Sequence, residues 1–252
     1  MQKVYVPNCE KGCPRLMNND RLATYLKSLE SPERPFLEQV EREALESYVP
    51  IIRKETQSFL KVMLEITHPM RILEVGTAVG FSALLMSEYM PEGAHITTIE
   101  KYEKRIPIAR ENFRKAGKDD VITLIEGDAM EVLKSLDGLY DLIFMDAAKG
   151  QYIHYLPEVL RLLPEGGVLV SDNVMQDGEV IESRFAVERR NRTIHARMRE
   201  YLYELKHNDA LVTSIIPLGD GAAVSVKRSE SAMREPETEK TKRQEAENGK
   251  TS

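Results

Sequence analysis

The chain has 252 residues, 42% of them hydrophobic, which is enough for one large α/β domain and a tight fit for two. No stretch approaches the roughly 20 apolar residues of a membrane span, and Met1 to Asn8 lacks a basic segment followed by an apolar one, so no span and no secretory signal is read and the expected compartment is the cytoplasm. Lys and Arg number 35 against 41 Asp and Glu; the net charge of −6 argues against a protein that coats nucleic acid non-specifically, while leaving room for a local basic face.

Residues 1–18, with Pro7, Gly12 and Pro14, are expected to form an irregular arm. Cys9 and Cys13 within it are too few for a disulfide framework, and a C-x3-C without further ligands is a poor zinc site, so they read as two thiols in a reduced loop. Apolar residues at helical spacing predict helices over Asp20 to Leu29 and Pro35 to Tyr48, split at Ser31-Pro32, and a third over Lys54 to Ile66. After Pro69 the pattern alternates. Strands are predicted at Arg71 to Val75, Ala94 to Ile99, Val121 to Ile125, Tyr140 to Met145 and Gly167 to Ser171. Between them lie helices at Phe81 to Tyr89, Glu103 to Ala116, Ala129 to Leu136 and Tyr152 to Leu163. One long helix is predicted over Ile181 to His207, then a hairpin of Leu211 to Ile216 and Ala222 to Lys227. Strands alternating with helices imply a doubly wound, mostly parallel sheet within one domain at 19–228. Residues 229–252 hold almost no apolar side chains and are expected to be disordered.

The first strand runs into Glu74-Val75-Gly76-Thr77-Ala78-Val79-Gly80. Glycines here let the backbone turn sharply against a ligand at a helix N-terminus; the other reading is a purely structural turn. A dinucleotide fingerprint would need glycine where Ala78 and Phe81 stand, so a nucleoside without phosphates fits better than NAD. Glu100, at the end of the second strand, is placed to accept both ribose hydroxyls, or is a solvated strand-end charge. Asp128, after the third strand, receives an adenine amino group or caps the next helix. All three sit at the carboxyl edge of one sheet, where such folds bind ligands, at the switch between the first and fourth strands.

The fourth strand ends in Asp146-Ala147-Ala148-Lys149 and the fifth in Asp172-Asn173. Neighbouring strands lie about 4.8 Å apart, so Asp146, Asp172 and Asn173 can converge on one cation. Three oxygen ligands with open positions suit Mg²⁺, and the lack of His and Cys argues against zinc. The alternative for Asp172-Asn173 is turn or N-cap duty. Lys149, beside that cation, is a candidate general base for a hydroxyl proton; otherwise it is a surface lysine at a helix start.

Glu74-x-Gly76-x-x-x-Gly80, Asp146-Ala147-Ala148-Lys149 and Asp172-Asn173 resemble the cation-dependent O-methyltransferases, which include the catechol and caffeoyl-CoA enzymes. Val49-Pro50-Ile51, Gly150-Gln151-Tyr152 after Lys149, Val174 after Asn173, and Ile216 to Gly221 bring the resemblance closest to the bacterial tRNA 5-hydroxyuridine methyltransferase subgroup. It implies a Rossmann-like, seven-stranded class I methyltransferase fold and a homodimer. It also implies S-adenosylmethionine held by Ile52, Glu74, Gly76, Ser82, Glu100, Asp128, Ala129 and Asp146, with Mg²⁺ on Asp146, Asp172 and Asn173. The acceptor implied is the wobble uridine of a tRNA anticodon loop; the alternative is a small catechol-type molecule. Arg189, Arg190 and Arg192, interrupted by Asn191, are the candidate RNA contacts within a stripe from Arg184 to Lys206, which reads otherwise as a solvated helix face because Glu182, Glu188, Glu200 and Glu204 interleave it. A cofactor-binding regulatory dimer without enzymatic activity is a further reading.

Overall fold

The computed structural model describes residues 19–229. The expected arm at 1–18, with its two cysteines, and all but Ser229 of the expected charged tail lie outside the described residues. The chain divides into two units, 1–33 and 34–252. The first contains, in its described part, the helix α1 (Asn19–Ser28). Among the described residues no helix is long and apolar enough to cross a membrane.

The second unit runs α2 (Pro35–Glu46), α3 (Lys54–Thr67), β1 (Arg71–Val75), α4 (Phe81–Tyr89), β2 (His95–Glu100), α5 (Ile106–Ala116) and β3 (Ile122–Glu126). It continues with α6 (Ala129–Ser135), β4 (Leu142–Met145), α7 (Tyr152–Leu162), β5 (Val168–Ser171), α8 (Arg192–His207), β6 (Leu211–Ile216) and β7 (Ala222–Lys227). The seven strands form one sheet in the order β3-β2-β1-β4-β5-β7-β6. β1 to β5 are parallel to their neighbours, and β7 runs antiparallel to both β5 and β6. This is the expected doubly wound α/β sheet with a C-terminal hairpin. The chain reverses its winding direction at β1, so the carboxyl tips of β1 and β4 open a crevice between them.

The central strands are buried on both faces, as parallel strands covered by helices must be. Their side chains alternate between two cores. Ile72, Leu142, Phe144, Val168 and Val170 pack with Leu60, Leu64 and Phe81 on one side. Leu73, Val75, Ile143, Met145 and Leu169 pack with Tyr152, Val159 and Tyr201 on the other. Within the hairpin the sequentially later strand takes the inner place. β7 offers Ala222, Ala223 and Ser225, all fully buried, whereas β6 leaves Val212 62% exposed at the sheet edge. Small side chains fit between sheet and helices, which favours β7 for the inner place.

One predicted element is corrected. The long helix expected over Ile181 to His207 is helical only from Arg192. Ile181 and Phe185, four residues apart as on a helix face, are 80% and 87% exposed, so no buried face draws the segment into a helix. Just before it, Gln176, Asp177 and Gly178 take positive φ values of 51°, 50° and 87°. The Ser183 carbonyl accepts the Ala186 N–H, and the Val187 carbonyl is taken by the Arg192 side chain at 3.1 Å. The backbone of 182–191 is thus committed to turns.

Candidate active site

A cavity of about 340 Å³ opens at the carboxyl edge of the sheet, with Ile52, Gly76, Ser82, Glu100, Ala129 and Asp146 in its wall. The β1–α4 turn forms one side. The Gly76 and Thr77 N–H groups both donate to the Ile99 carbonyl, at 3.1 and 3.2 Å, which folds the turn back over β2. Glu100 braces it from the tip of β2. One carboxylate oxygen accepts the Ala78 N–H at 2.8 Å; the other accepts the N–H groups of Lys101 and Tyr102 at 2.9 and 2.8 Å. A carboxylate offers about four acceptor sites, so this rigidly held group keeps capacity for a ligand hydroxyl.

Asp128 does what the second sequence reading offered. Its Oδ1 accepts the Met130 N–H at 3.0 Å and caps α6, and that bond holds its carboxyl below the usual range. Its Oδ2 meets the Lys101 ammonium at 3.3 Å, while its neighbours Gly127 and Ala129 line the cavity.

Glu74 is not in the wall. It is fully buried, and its two oxygens accept the hydroxyls of Ser82 on α4 and Thr98 on β2. It therefore acts on the site by fixing the start of α4 against β2. Burial, against these hydrogen bonds, pushes its pKa up to about 7. Relative to an unfolded glutamate near 4.5, the stability tied to the protonated form is complete below pH 4.5 and is lost as pH rises through about 7. Between pH 8 and pH 4.5 the wild type is expected to gain roughly 3 kcal/mol over Glu74→Gln, at about 1.36 kcal/mol per pKa unit. Denaturant unfolding of both proteins across that range checks this; parallel pH curves would contradict it.

The tips of β4 and β5 meet as expected. Met145 is in register with Ser171, and the Asp172 N–H donates to the Met145 carbonyl at 3.0 Å. Asp172 is 1% exposed. Its Oδ1 accepts the Thr56 hydroxyl at 3.3 Å, and its Oδ2 is buried with no hydrogen-bond partner among the described residues. Burial first, and the like charge of Asp146 second, push its pKa up to about 6. Asn173 follows in a left-handed conformation (φ 53°) that brings it into the cavity wall with Asp146 and Lys149. Among the described residues no cluster of three or more His, Cys, Asp or Glu side chains is arranged for a metal. A cation at this corner would take two carboxylates and the Asn173 amide oxygen, an all-oxygen set suited to a hard ion. The orphaned Asp172 oxygen fits such an ion, because a cation would relieve both its desolvation and its repulsion from Asp146.

The Lys149 ammonium donates to Asp146 Oδ1 at 2.7 Å and to the Tyr152 hydroxyl at 3.0 Å. Burial opposes its charge, yet Tyr152 and Asp146 outweigh it and hold the ammonium above the ordinary lysine range. With these partners Lys149 keeps its proton. A second cavity of about 270 Å³ shares Lys149 and Asn173 with the first and is otherwise lined by Gln176, Asp177, Glu179, Asn191 and Asp220. Asp220 caps the Asp177 N–H, which ties the β6–β7 loop to this wall.

Two residues at this corner escape sequence reasoning. Thr56 reaches Asp172 across 116 positions, and nothing in its local sequence signals that contact. Tyr152 has a faint signal, a tyrosine three residues beyond Lys149 at a helix start.

The basic stripe is largely committed within the chain. Arg190 pairs with Glu188 at 2.7 Å, Arg197 donates to the Gly150 carbonyl, Arg199 to that of Val180, and Lys206 to that of Thr213. Arg192, as noted, holds the Val187 carbonyl; Arg184 and Arg189 are exposed.

Known proteins resemble the chain in sequence and in fold. The chain is 33% identical to a catechol O-methyltransferase of Niastella koreensis over 49% of its own length and 58% of that protein's. It is 28% identical to caffeoyl-CoA O-methyltransferase 2 of Populus trichocarpa over 84% of its own length and 90% of the relative's. The crystal structure of the SAH-bound methyltransferase PaMTH1 of Podospora anserina superposes with a TM-score of 0.75 at 27% identity, covering 91% of this chain and 100% of that one. The O-methyltransferase family model matches residues 27–228, all but the two ends, and the chain belongs to that family.

Proposed function

We propose that the protein transfers the methyl group of S-adenosylmethionine to a hydroxyl flanked by a second oxygen, on a small aromatic acceptor of the catechol or caffeoyl-CoA type, with Mg²⁺ at Asp146, Asp172 and Asn173. The observation that carries this reading is the buried, unpartnered Asp172 oxygen, which feels the charge of Asp146 and lies behind the wall of both cavities, one residue before Asn173, which lines the two. Family membership, the names of the relatives and the SAH-bound neighbour support it; SAH is the donor after it has lost its methyl group.

The donor would lie in the larger cavity. Glu100 would accept its ribose hydroxyls, the Gly76–Gly80 turn would pack on its amino-acid end, and Ile52, Ser82 and Ala129 would border its base and chain, with Asp128 capping α6 just behind Ala129. The wall carries charges of both signs, Glu100 and Asp146 with Lys101, Arg105 and Lys149, which suits a zwitterionic sulfonium. Bound at the strand tips, the cation would polarise the two acceptor oxygens and lower the pKa of the hydroxyl. Asp146 borders both ligands and so fixes donor and acceptor in one frame, and positioning of that kind supplies much of a displacement reaction's rate. Lys149 could receive the hydroxyl proton only from its neutral form, which it would reach if Asp146 turned from the ammonium to the cation and the cation's charge lowered the lysine pKa.

A second reading has its own observation. Phe185 is exposed between the exposed Arg184 and Arg189, and the segment's flanks, Glu179 and Asn191, line the smaller cavity. Aromatic and arginine side chains stack on unpaired bases, and 5-hydroxyuridine offers vicinal oxygens in its C5 hydroxyl and C4 carbonyl. Against it, the other arginines of the stripe are spent on internal partners. The test incubates enzyme, donor and Mg²⁺ in parallel with catechol and with tRNA lacking the 5-methoxy group. Methylated catechol without methoxyuridine is the expected result; methoxyuridine with inert catechol would overturn the small-molecule reading in favour of the anticodon loop.

A further inference from the structure

The Tyr152 hydroxyl lies at the centre of the catalytic corner without facing either cavity. Tyr152 opens α7 and is fully buried. Its oxygen accepts the Lys149 ammonium at 3.0 Å and the Ala147 N–H at 3.3 Å. Its single proton is shared between the carbonyls of Met145, at 2.9 Å, and Asp172, at 3.2 Å. A phenol can donate once and accept twice, so the group is saturated. Through it the last residue of β4, the first residue past β5 and the lysine are held at one point.

The ring is fixed from the other side. Tyr201 on α8 packs edge-on against it, with ring centroids 5.4 Å apart and planes at 76°. The Tyr201 hydroxyl bonds Ser171 Oγ at 2.6 Å, one residue before Asp172. Two buried phenols therefore support both strand tips. A core that needed only volume here would take phenylalanine at both positions, since each buried hydroxyl must be satisfied at a cost.

We infer that Tyr152 is a positioning residue for methyl transfer: its oxygen, anchored to both strand tips, sets the direction of the Lys149 side chain. The inference rests on the proposed function. Among the described residues the Lys149 ammonium reaches two partners, Asp146 and Tyr152. Without the phenol oxygen its four-carbon stem turns freely about one contact, and displacement of a reacting group by about 1 Å costs roughly a hundredfold in rate.

The test is Tyr152→Phe, which removes one atom and keeps the ring. The expected result is a kcat lowered roughly 10- to 100-fold with the KM of donor and acceptor within about twofold. In a Lys149→Met background the same change is expected to have almost no further effect, because the two residues act as a unit. Outside catalysis, hydrogen exchange is expected to quicken at Ala147, whose N–H loses its acceptor, by roughly fivefold for a bond worth about 1 kcal/mol. Unchanged kcat in Tyr152→Phe, or losses that simply multiply with those of Lys149→Met, would overturn the inference. A wild type that methylates neither acceptor would overturn the proposed function instead, and the exchange rate at Ala147 would still report on the tether.

Discussion

Asp172→Asn is expected to reduce methyl transfer by two to three orders of magnitude and, at pH 8, to make the protein more stable. The kinetic half follows from the proposed cation site. The substitution replaces a charged oxygen there by a neutral amide, and polarisation of the reacting oxygens by such a cation would be worth several kcal/mol, at about 1.4 kcal/mol per decade of rate. The stability half follows from burial. The Asp172 carboxyl is pushed up to about 6 in the fold, against 3.8 for the ordinary group, by desolvation and then by Asp146. Stability tied to its protonated form is complete below pH 3.8 and lost as pH rises through about 6, so at pH 8 the wild type bears a cost of roughly 3 kcal/mol. An asparagine bears none of it and can still accept the Thr56 hydroxyl. For a chain of this size roughly 6 to 12 °C in Tm is expected, shrinking to little near pH 4. Paired kinetics and thermal unfolding at pH 8 and pH 4 check both halves. A variant that loses activity and stability together would make Asp172 a structural residue only.

The largest effect on the fold is expected from Gly76→Ala. Gly76 adopts φ 106°, a region closed to side chains. A Cβ there would stand 2.1 Å from the Asp146 carbonyl oxygen and 2.9 Å from its carbonyl carbon. Both are backbone atoms at the tip of β4, and Asp146 itself is tied down through its N–H to the Val75 carbonyl at 3.0 Å. No side chain can rotate away to relieve the clash. Either β1 and β4 separate at their tips, which costs ladder hydrogen bonds in the middle of the sheet, or the turn reorients and releases its two bonds to Ile99. Each route amounts to about 4 kcal/mol or more, a large part of the 5 to 15 kcal/mol that holds a typical domain together. Soluble yield and denaturant unfolding of the purified variant check this; a Tm within about 2 °C of the wild type would contradict it.

How far the sequence carries can be argued residue by residue. β1, β4 and β5 are buried on both faces, so they stand out as largely apolar runs, and the turn between β1 and α4 declares itself through glycines at positive φ. That Asp146 and Asp172 stand at the tips of adjacent strands was legible because both follow such runs directly. The order β5-β7-β6 was not, since hairpin periodicity says that two strands pair but not which lies inside. The segment 182–191 misled because Ile181 and Phe185 repeat at helical spacing while facing solvent, and spacing alone does not reveal what covers a side chain. Glu74 was read into the cofactor set from its motif, whereas its oxygens are consumed by Ser82 and Thr98, a network visible only once α4 and β2 are side by side. The support from Thr56 and Tyr152 depends likewise on tertiary neighbours.

The oxygen corner is tested most directly by titrating the purified protein with Mn²⁺ and counting bound ions by electron paramagnetic resonance, in the wild type, Asp146→Ala and Asp172→Ala. One bound ion per chain in the wild type and none in either variant is the expected result. Equal occupancy in all three proteins would contradict it and leave the buried Asp172 oxygen without a role.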